Sequence, residues 1–363
     1  RDSLYSTQII YCLTLTQRTP CNNTLNQSPD LLRIRTPAMP RTVNQDSRAL
    51  RIAIVMDPIS HIKPAKDSTL AMMLAAQKRG HHLFYIQQAD LWLRDGVAWG
   101  RICPITVQDS NEHWASLGET RVEKLDQMDV VLMRKDPPFD MEYIYTTYIL
   151  ERAEAAGVLV LNKPSGLRDM NEKVYTAWFA HCCAPTLITR NMDDMQAFLK
   201  EHQQIVCKPL HGMGGRSIFV INQADKNASV ILETMTNYGQ QFAIVQKYLP
   251  EIVDTGDSRI LIIDGEPAPY ALARIPASTD HRGNLAAGAQ GKGRELNERD
   301  RWLVSQIGPV LREQGMLFVG IDVIGGFVTE INVTSPTGIR ELDKQFNCDI
   351  ASDFIKAIEK RFA

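Results

Sequence analysis

Asp322, Glu330 and Asn332 are the residues whose types and spacing point most directly to chemistry. They stand in two β-rich runs, Phe318 to Ile324 and Phe327 to Val333, joined by Gly325-Gly326. Acidic residues are depleted inside strands, so carboxylates among branched apolar neighbours call for a reason. Glu330 and Asn332 are two apart and project to one face of a strand. Asp322 joins them in only one register. A two-residue turn at Gly325-Gly326 sets it opposite Thr329, on the other face; a three-residue loop from Gly325 to Phe327 sets it opposite Glu330. Paired carboxylates repel unless a cation lies between them, and Asp, Glu and Asn oxygens are hard ligands of the kind Mg²⁺ prefers. Mg²⁺ completes its octahedron with phosphate oxygens and water. A solvent-facing acidic sheet surface fits the apolar flanks poorly.

The segment Lys208-Pro209-Leu210-His211-Gly212-Met213-Gly214-Gly215-Arg216-Ser217 carries a second signal. Glycines without Cβ atoms let backbone N–H groups approach a phosphate. No GxxxxGK[ST] is present, and Ser217 to Ile221 is β-like where a P-loop or dinucleotide fold needs a helix. A strand, glycine loop and strand form a flap over phosphates, and Lys208 on the entering strand is placed to balance their charge. An ordinary glycine-rich turn accounts for this segment equally well. Lys173, taken alone, reads as a solvated helix lysine.

These residues need a frame. The chain has 363 residues, 40 basic against 42 acidic side chains, 44% hydrophobic and 23% charged residues. That is a globular composition of two or three domains. The near-neutral balance lacks the basic excess of a nucleic-acid or anionic-lipid binder, so neither partner is expected. No apolar run approaches the ~20 residues that span a bilayer. Seven cysteines occur, with no CxxC spacing, which argues for free thiols in a reducing cytoplasm and against a disulfide framework or zinc site. The eight histidines form no ligand-like group.

Residues 1–48, rich in Arg, Pro, Asn and Thr, are expected to be a disordered or artefactual extension, with the native start at Met39; an Arg-containing transit peptide is the alternative. Strand-like Arg51 to Val55, a helix capped by Asp67-Ser68 and closed at Gly80, and strands at His82 to Gln87 and Asp129 to Met133 follow. A helix from Met141 to Ala156 and a strand at Val158 to Leu161 complete an open, largely parallel α/β sheet over residues 49–170. From 171 the pattern becomes α+β. Helices are expected at Asn171 to Phe179 and Met192 to Lys200, then strands at Gln204 to Leu210, Ser217 to Ile221, Ala243 to Gln246, Arg259 to Ile263 and Pro269 to Ile275. Asp264-Gly265 signals a hairpin. Ala277 to Gly293 reads as a mobile loop, followed by a helix from Glu298 to Gln314, the Gly325-Gly326 strands and a C-terminal helix.

Several ordered motifs resemble one family. They are Met56-Asp57-Pro58, Lys135-Asp136-Pro137-Pro138-Phe139-Asp140, Gly212-Met213-Gly214-Gly215, Arg282-Gly283-Asn284-Leu285-Ala286-Ala287-Gly288, and Thr329 through Thr337. Together, over all but the extension, they resemble bacterial-type glutathione synthetase, an ATP-grasp ligase. The resemblance implies an N-terminal Rossmann-like α/β domain (49–170), a lid domain (171–250) and a metal-bearing C-terminal domain (251–363). It implies that Lys173 and Lys208 contact ATP phosphates beneath the flap Gly212, Met213, Gly214 and Gly215. Gln246, Lys247, Tyr248 and Leu249 would receive adenine, and Asp257 would touch the ribose or hinge. Asp322, Glu330 and Asn332 match the metal ligands, for Mg²⁺ or Mn²⁺, which favours the odd-loop register. Arg259, Arg274 and Arg282 match positions near the peptide substrate and the transferring phosphate. His211 departs from the family, which carries Asp there; this bears on ATP affinity or its pH dependence.

The implied reaction joins γ-glutamylcysteine to glycine through an acyl phosphate, with ATP cleaved to ADP and phosphate. Positioning and charge stabilisation suffice for such chemistry, so no cysteine need be catalytic. A cytoplasmic homotetramer is implied as well. Two other readings share the nucleotide residues. An ATP-grasp ligase adding glutamate to a protein terminus would differ in its N-terminal domain, and a silent ATP-binding regulator resembling synapsins would lack a metal carboxylate.

Overall fold

Strand β1 (Arg51–Val55) is buried from Ile52 onward and lies at the centre of the first sheet. The computed structural model describes residues 48–212, 214–276, 283 and 289–363, so the expectations for residues 1–47, Met213, Arg282 and most of the loop over 277–288 lie outside the described residues. Arg48, placed in the expected extension, donates to Asp129 at 2.9 Å.

Helix α1 (Ser68–Lys78) starts where expected, with Asp67 accepting from Leu70 N at 2.6 Å. Such a cap contributes about 1 kcal/mol. Strand β2 (His82–Ile86) follows, and β1 pairs in parallel with it and with β7 (Val130–Met133). Helix α2 (Met141–Ala155) leads to β8 (Leu159–Leu161), also parallel, so the inner order β2-β1-β7-β8 is the expected parallel core. Between β2 and β7 the chain adds an antiparallel half that the sequence reading left unassigned: β3 (Leu91–Arg94), β4 (Val97–Val107), β5 (Ala115–Leu117) and β6 (Arg121–Lys124). Strand β4 pairs with all three of these and with β2.

Helix α3 (Pro164–Asp169) begins with the proline at its first position, where the missing N–H costs nothing. The α-helix expected at Asn171 to Phe179 is instead a 3₁₀ segment, Val174–Cys182, kinked at Phe179. Its entry is fixed by a long-range bond, since Glu172 O accepts from Ile331 N at 2.8 Å. Strand β9 (Thr186–Thr189), helix α4 (Met192–His202), β10 (Gln204–Pro209), β11 (Phe219–Asn222), α5 (Ala228–Met235) and β12 (Ala243–Lys247) follow. The strands form a four-stranded antiparallel sheet ordered β11-β10-β12-β9. Met195, Leu199, Ile205, Cys207 and Val245 belong to its own small core.

The third sheet, ordered β15-β14-β13-β16-β17, follows the short helix α6 (Glu251–Asp254). It contains β13 (Asp257–Ile263), β14 (Glu266–Ile275), β15 (Gln290–Glu295), β16 (Phe318–Ile324) and β17 (Phe327–Asn332), with α7 (Glu298–Glu313) between β15 and β16. The expected loop from Ala277 to Gly293 therefore ends in a strand, because Gln290 to Glu295 pair with β14 despite their glycines. Helices α8 (Ile339–Phe346) and α9 (Ile350–Glu359) close the chain. Two larger cores each draw on the first and third sheets: one contains Ala53, Val131 and Ile321, the other Ile54, Leu132 and Phe318. Among the described residues no helix is long and apolar enough to cross a membrane.

Candidate active site

The β16–β17 hairpin sets the site. Gly325 and Gly326 both have positive φ, at 56° and 79°, and form a two-residue turn with Ile324 opposite Phe327. The expected three-residue loop is absent, yet Asp322 stands opposite Glu330. A β-bulge reconciles the two: Val323 faces Val328, and the extra residue Thr329 shifts the register before Asp322. Thr329 Oγ1 donates to Asp322 O at 3.3 Å across the irregularity.

Asp322 is 1% exposed and is held by two arginines. Arg259, opposite it on β13, donates through Nε and Nη2 at 2.5 and 3.0 Å, and Arg274 Nη2 lies 2.8 Å from Oδ2. Burial pushes the Asp322 carboxyl up, but the two guanidinium charges outweigh it and hold the group well below the usual carboxylate range. Asp257, opposite Arg274, takes that guanidinium at 2.5 Å through Oδ2, while its buried Oδ1 has no hydrogen-bond partner among the described residues. Burial accordingly pushes the Asp257 carboxyl up, against the pull of Arg274.

Lys173 is buried at the start of the 3₁₀ segment. Its Nζ bonds Glu172 Oε1 at 2.6 Å and Gly212 O at 2.9 Å, and lies 3.8 Å from Glu330 Oε1. Burial pulls its pKa down, and Glu330 and Glu172 more than reverse this. The lysine is a fixed ammonium tied to the glycine loop, not a solvated one. Lys208, buried on β10, donates to Gln246 Oε1 at 3.0 Å, and Gln246 Nε2 donates to Thr186 Oγ1 at 3.1 Å. Gly214 and Gly215 adopt positive φ of 68° and 77°, backbone that other residues rarely hold. His211 beside them is exposed.

Two adjoining cavities gather these groups. One, open to solvent, is mostly apolar and is lined by Val206, Ile218, Val220, Ile252 and Val328 with Lys208, Gln246, Lys247, Tyr248, Leu249 and Asp257. The other, of about 1000 Å³, is lined by Lys173, Gly212, Gly214, Gly215, Arg259, Arg274 and Asn332. Ile218 and Glu330 border both. A flat apolar group with a polyanionic tail matches this pair in shape and charge. Every sequence-selected site residue within the described residues lies on one of these walls, except Asp322 beneath them. Arg216, Asp136 and residues 334–337 flank or lie in quoted motifs and Glu172 precedes Lys173, yet the sequence assigns none of them a role; all line the second cavity.

The donor set suits a hard divalent cation. Glu330 faces the second cavity, and Asn332 Nδ2 donates to Asp322 Oδ2 at 3.3 Å, which leaves the amide oxygen for a cation. Asp322 is the poorest donor of the three, because guanidinium groups occupy both its oxygens. Among the described residues no group of three or more His, Cys, Asp or Glu is placed to hold a metal.

Comparison with known proteins adds a second line of observation. Residues 50–168 match the model of the prokaryotic glutathione synthetase N-terminal domain, and residues 172–347 that of the prokaryotic glutathione synthetase ATP-grasp domain. The glutathione synthetase of Pseudomonas aeruginosa is 54% identical over 315 residues, covering 87% of this chain and 99% of that one. The Coxiella burnetii glutathione synthetase is 50% identical over 314 residues, covering 86% and 98%. Among solved structures, D-cycloserine synthetase DcsG superposes with a TM-score of 0.60 at 17% identity, over 86% of this chain and 100% of that one. A Chryseobacterium gregarium RiPP-associated ATP-grasp ligase gives 0.57 at 14% identity, over 86% and 97%. At these identities the structural neighbours establish the fold alone.

Proposed function

The chain belongs to the prokaryotic glutathione synthetase family, and from that premise we propose that it joins γ-glutamylcysteine to glycine with cleavage of ATP. The observation that carries the reading is the convergence of Lys173, Arg259, Arg274, Glu330 and Asn332 on one cavity beside an apolar slot. ATP's adenine enters that slot against Gln246 to Leu249, and Asp257 faces the ribose. Its phosphates extend under the Gly212–Gly215 loop toward Lys173 and Lys208.

The γ-phosphate passes to the C-terminal carboxylate of γ-glutamylcysteine, breaking its bond to the β-phosphate oxygen and releasing ADP. Glycine's neutral amine attacks the acyl phosphate, a tetrahedral oxyanion forms, and phosphate departs as the nitrogen loses its proton. Arg259 and Arg274, with Arg282, orient the carboxylate and stabilise the charge that spreads over the transferring group. The family uses ATP with a divalent metal; we assign Mg²⁺, held by Glu330 and Asn332 with Asp322 behind them. When bound, such an ion supplies charge neutralisation to the phosphates.

The division into 49–170, 171–250 and 251–363 is also proposed, with the middle part as lid. The separate core of the β9–β12 sheet supports the middle part, whereas the outer two sheets share their cores. A cytoplasmic homotetramer is proposed on the family resemblance. The test is ADP release by the purified chain, expected only with γ-glutamylcysteine, glycine and Mg²⁺ all present. ADP formed equally well with unrelated amines would overturn the substrate assignment.

A further inference from the structure

Among the described residues three carboxylates line the polar cavity: Glu172, Glu330 and Asp136. The first two lie 2.6 and 3.8 Å from Lys173. Asp136 has no lysine or arginine nitrogen within 4 Å among the described residues. Its neighbour Lys135 points away, to Asp57 at 2.8 Å and to the Asp136 backbone oxygen. The Asp136 carboxylate is nonetheless held in place. Its Oδ1 accepts from Ser335 Oγ, its backbone N donates to Asp57 Oδ2 at 2.9 Å, and Pro137 follows with φ fixed by its ring. A positioned anion thus stands exposed in a cavity whose other charged walls are mainly cationic.

Resting on the proposed function, we infer that Asp136 binds the α-ammonium of the γ-glutamyl group and selects acyl donors that carry one. The donor has two ends of opposite need. Its reacting carboxylate belongs with Arg259 and Arg274, and its far end bears an ammonium that pairs with no cationic wall. Asp136 lies on the first-sheet side of the cavity, beyond β7, whereas the arginines rise from the third sheet. A dipeptide spanning the cavity meets both. Glycine's amine is the less suitable occupant, because it must attack as the free base and an unneutralised carboxylate favours its protonated form.

The experiment compares γ-glutamylcysteine with glutarylcysteine, which lacks only the α-amino group, in wild type and in Asp136→Asn. Wild type should take glutarylcysteine with a KM about 10–100-fold higher, the range for a lost charge-assisted hydrogen bond. In Asp136→Asn the KM for γ-glutamylcysteine should rise by a similar factor and the preference between the peptides should collapse, with the KM values for ATP and glycine changing less than about threefold. Ser335→Ala removes the strut but keeps the charge, and should retain the preference. Equal wild-type KM values for the two peptides would overturn the inference whether or not any variant folds. So would a rise confined to glycine, or loss of the preference in Ser335→Ala. Absence of ADP release from wild type with γ-glutamylcysteine is a separate outcome that overturns the substrate assignment itself, and this inference with it.

Discussion

Asp322 and Glu330 face each other across β16 and β17 although the turn joining these strands holds only two residues. The alignment comes from Thr329, the bulged residue, which turns an even hairpin into an odd one between the turn and the acids. Glu330 is thereby brought to the border of both cavities while Asp322 stays beneath, anchoring Arg259 and Arg274. The two acids differ in place: one faces the cavities and the other holds two guanidinium groups.

Glu330→Gln keeps the side-chain volume and removes the charge that faces the cavity. Turnover should fall by about 100-fold or more, the scale of losing one electrostatic group at a reacting centre, while the KM for γ-glutamylcysteine changes less than about threefold. Steady-state ADP release measures both. Unchanged turnover would remove Glu330 from the metal shell.

Arg274→Met leaves Asp257 buried without its guanidinium partner and strips one cation from Asp322. Breaking such a buried pair costs about 3–5 kcal/mol. Because the remaining Asp257 carboxyl has a folded pKa raised above its unfolded value, its ionisation opposes folding. The deficit should therefore grow as pH rises from about 4 toward neutrality. Urea midpoints at several pH values read this, and adding Asp257→Asn should recover a large part of the loss at pH 7.5. No recovery in the double variant would show that the cost lies elsewhere.

Glu359 on α9 takes two hydrogen bonds from Arg79, at 2.8 and 2.6 Å, and lies 3.1 Å from His81 Nε2. The Arg79 bonds hold its carboxyl below the usual range despite partial burial. A carboxyl depressed in the folded state contributes stability above its unfolded pKa, near 4.3, and loses it as pH falls through the folded value. Glu359→Gln should thus be less stable than wild type by about 1 kcal/mol at pH 7 and indistinguishable from it near pH 3. Thermal unfolding across that interval decides; a gap that persists in acid would assign the loss to packing.

Much of this architecture can be read from residues alone, where local chemistry settles it. Asp67 capping α1, the Asp264-Gly265 turn with φ of 52° and 79°, and the parallel β1, β2, β7 and β8 are cases in which cap, turn and apolar run agree. Lys173 shows the reverse. Nothing near it in sequence announces a buried ammonium, since its partners Gly212 and Glu330 are distant along the chain. The bulge at Thr329 has no compositional mark either, because any residue can serve as the extra one. The 3₁₀ segment after Lys173 begins beside the bond from Ile331 N to Glu172 O, a tertiary tie that local periodicity does not reveal. Asp136 stands inside a quoted motif, but that no Lys or Arg among the described residues pairs with its carboxylate appears only when the surrounding walls are in place.

The double hold of Arg259 and Arg274 on Asp322 also bears on how the enzyme treats small ions in solution. A sulfate or free phosphate drifting in competes with a carboxylate that is tethered beside those guanidinium groups, at an effective concentration no dissolved salt matches. A molecule presenting several negative groups on one frame exchanges with that carboxylate at more than one point in a single event. The carboxylate that keeps the arginines paired at rest should therefore disfavour small anions that bind at one point relative to reactants that carry several negative groups.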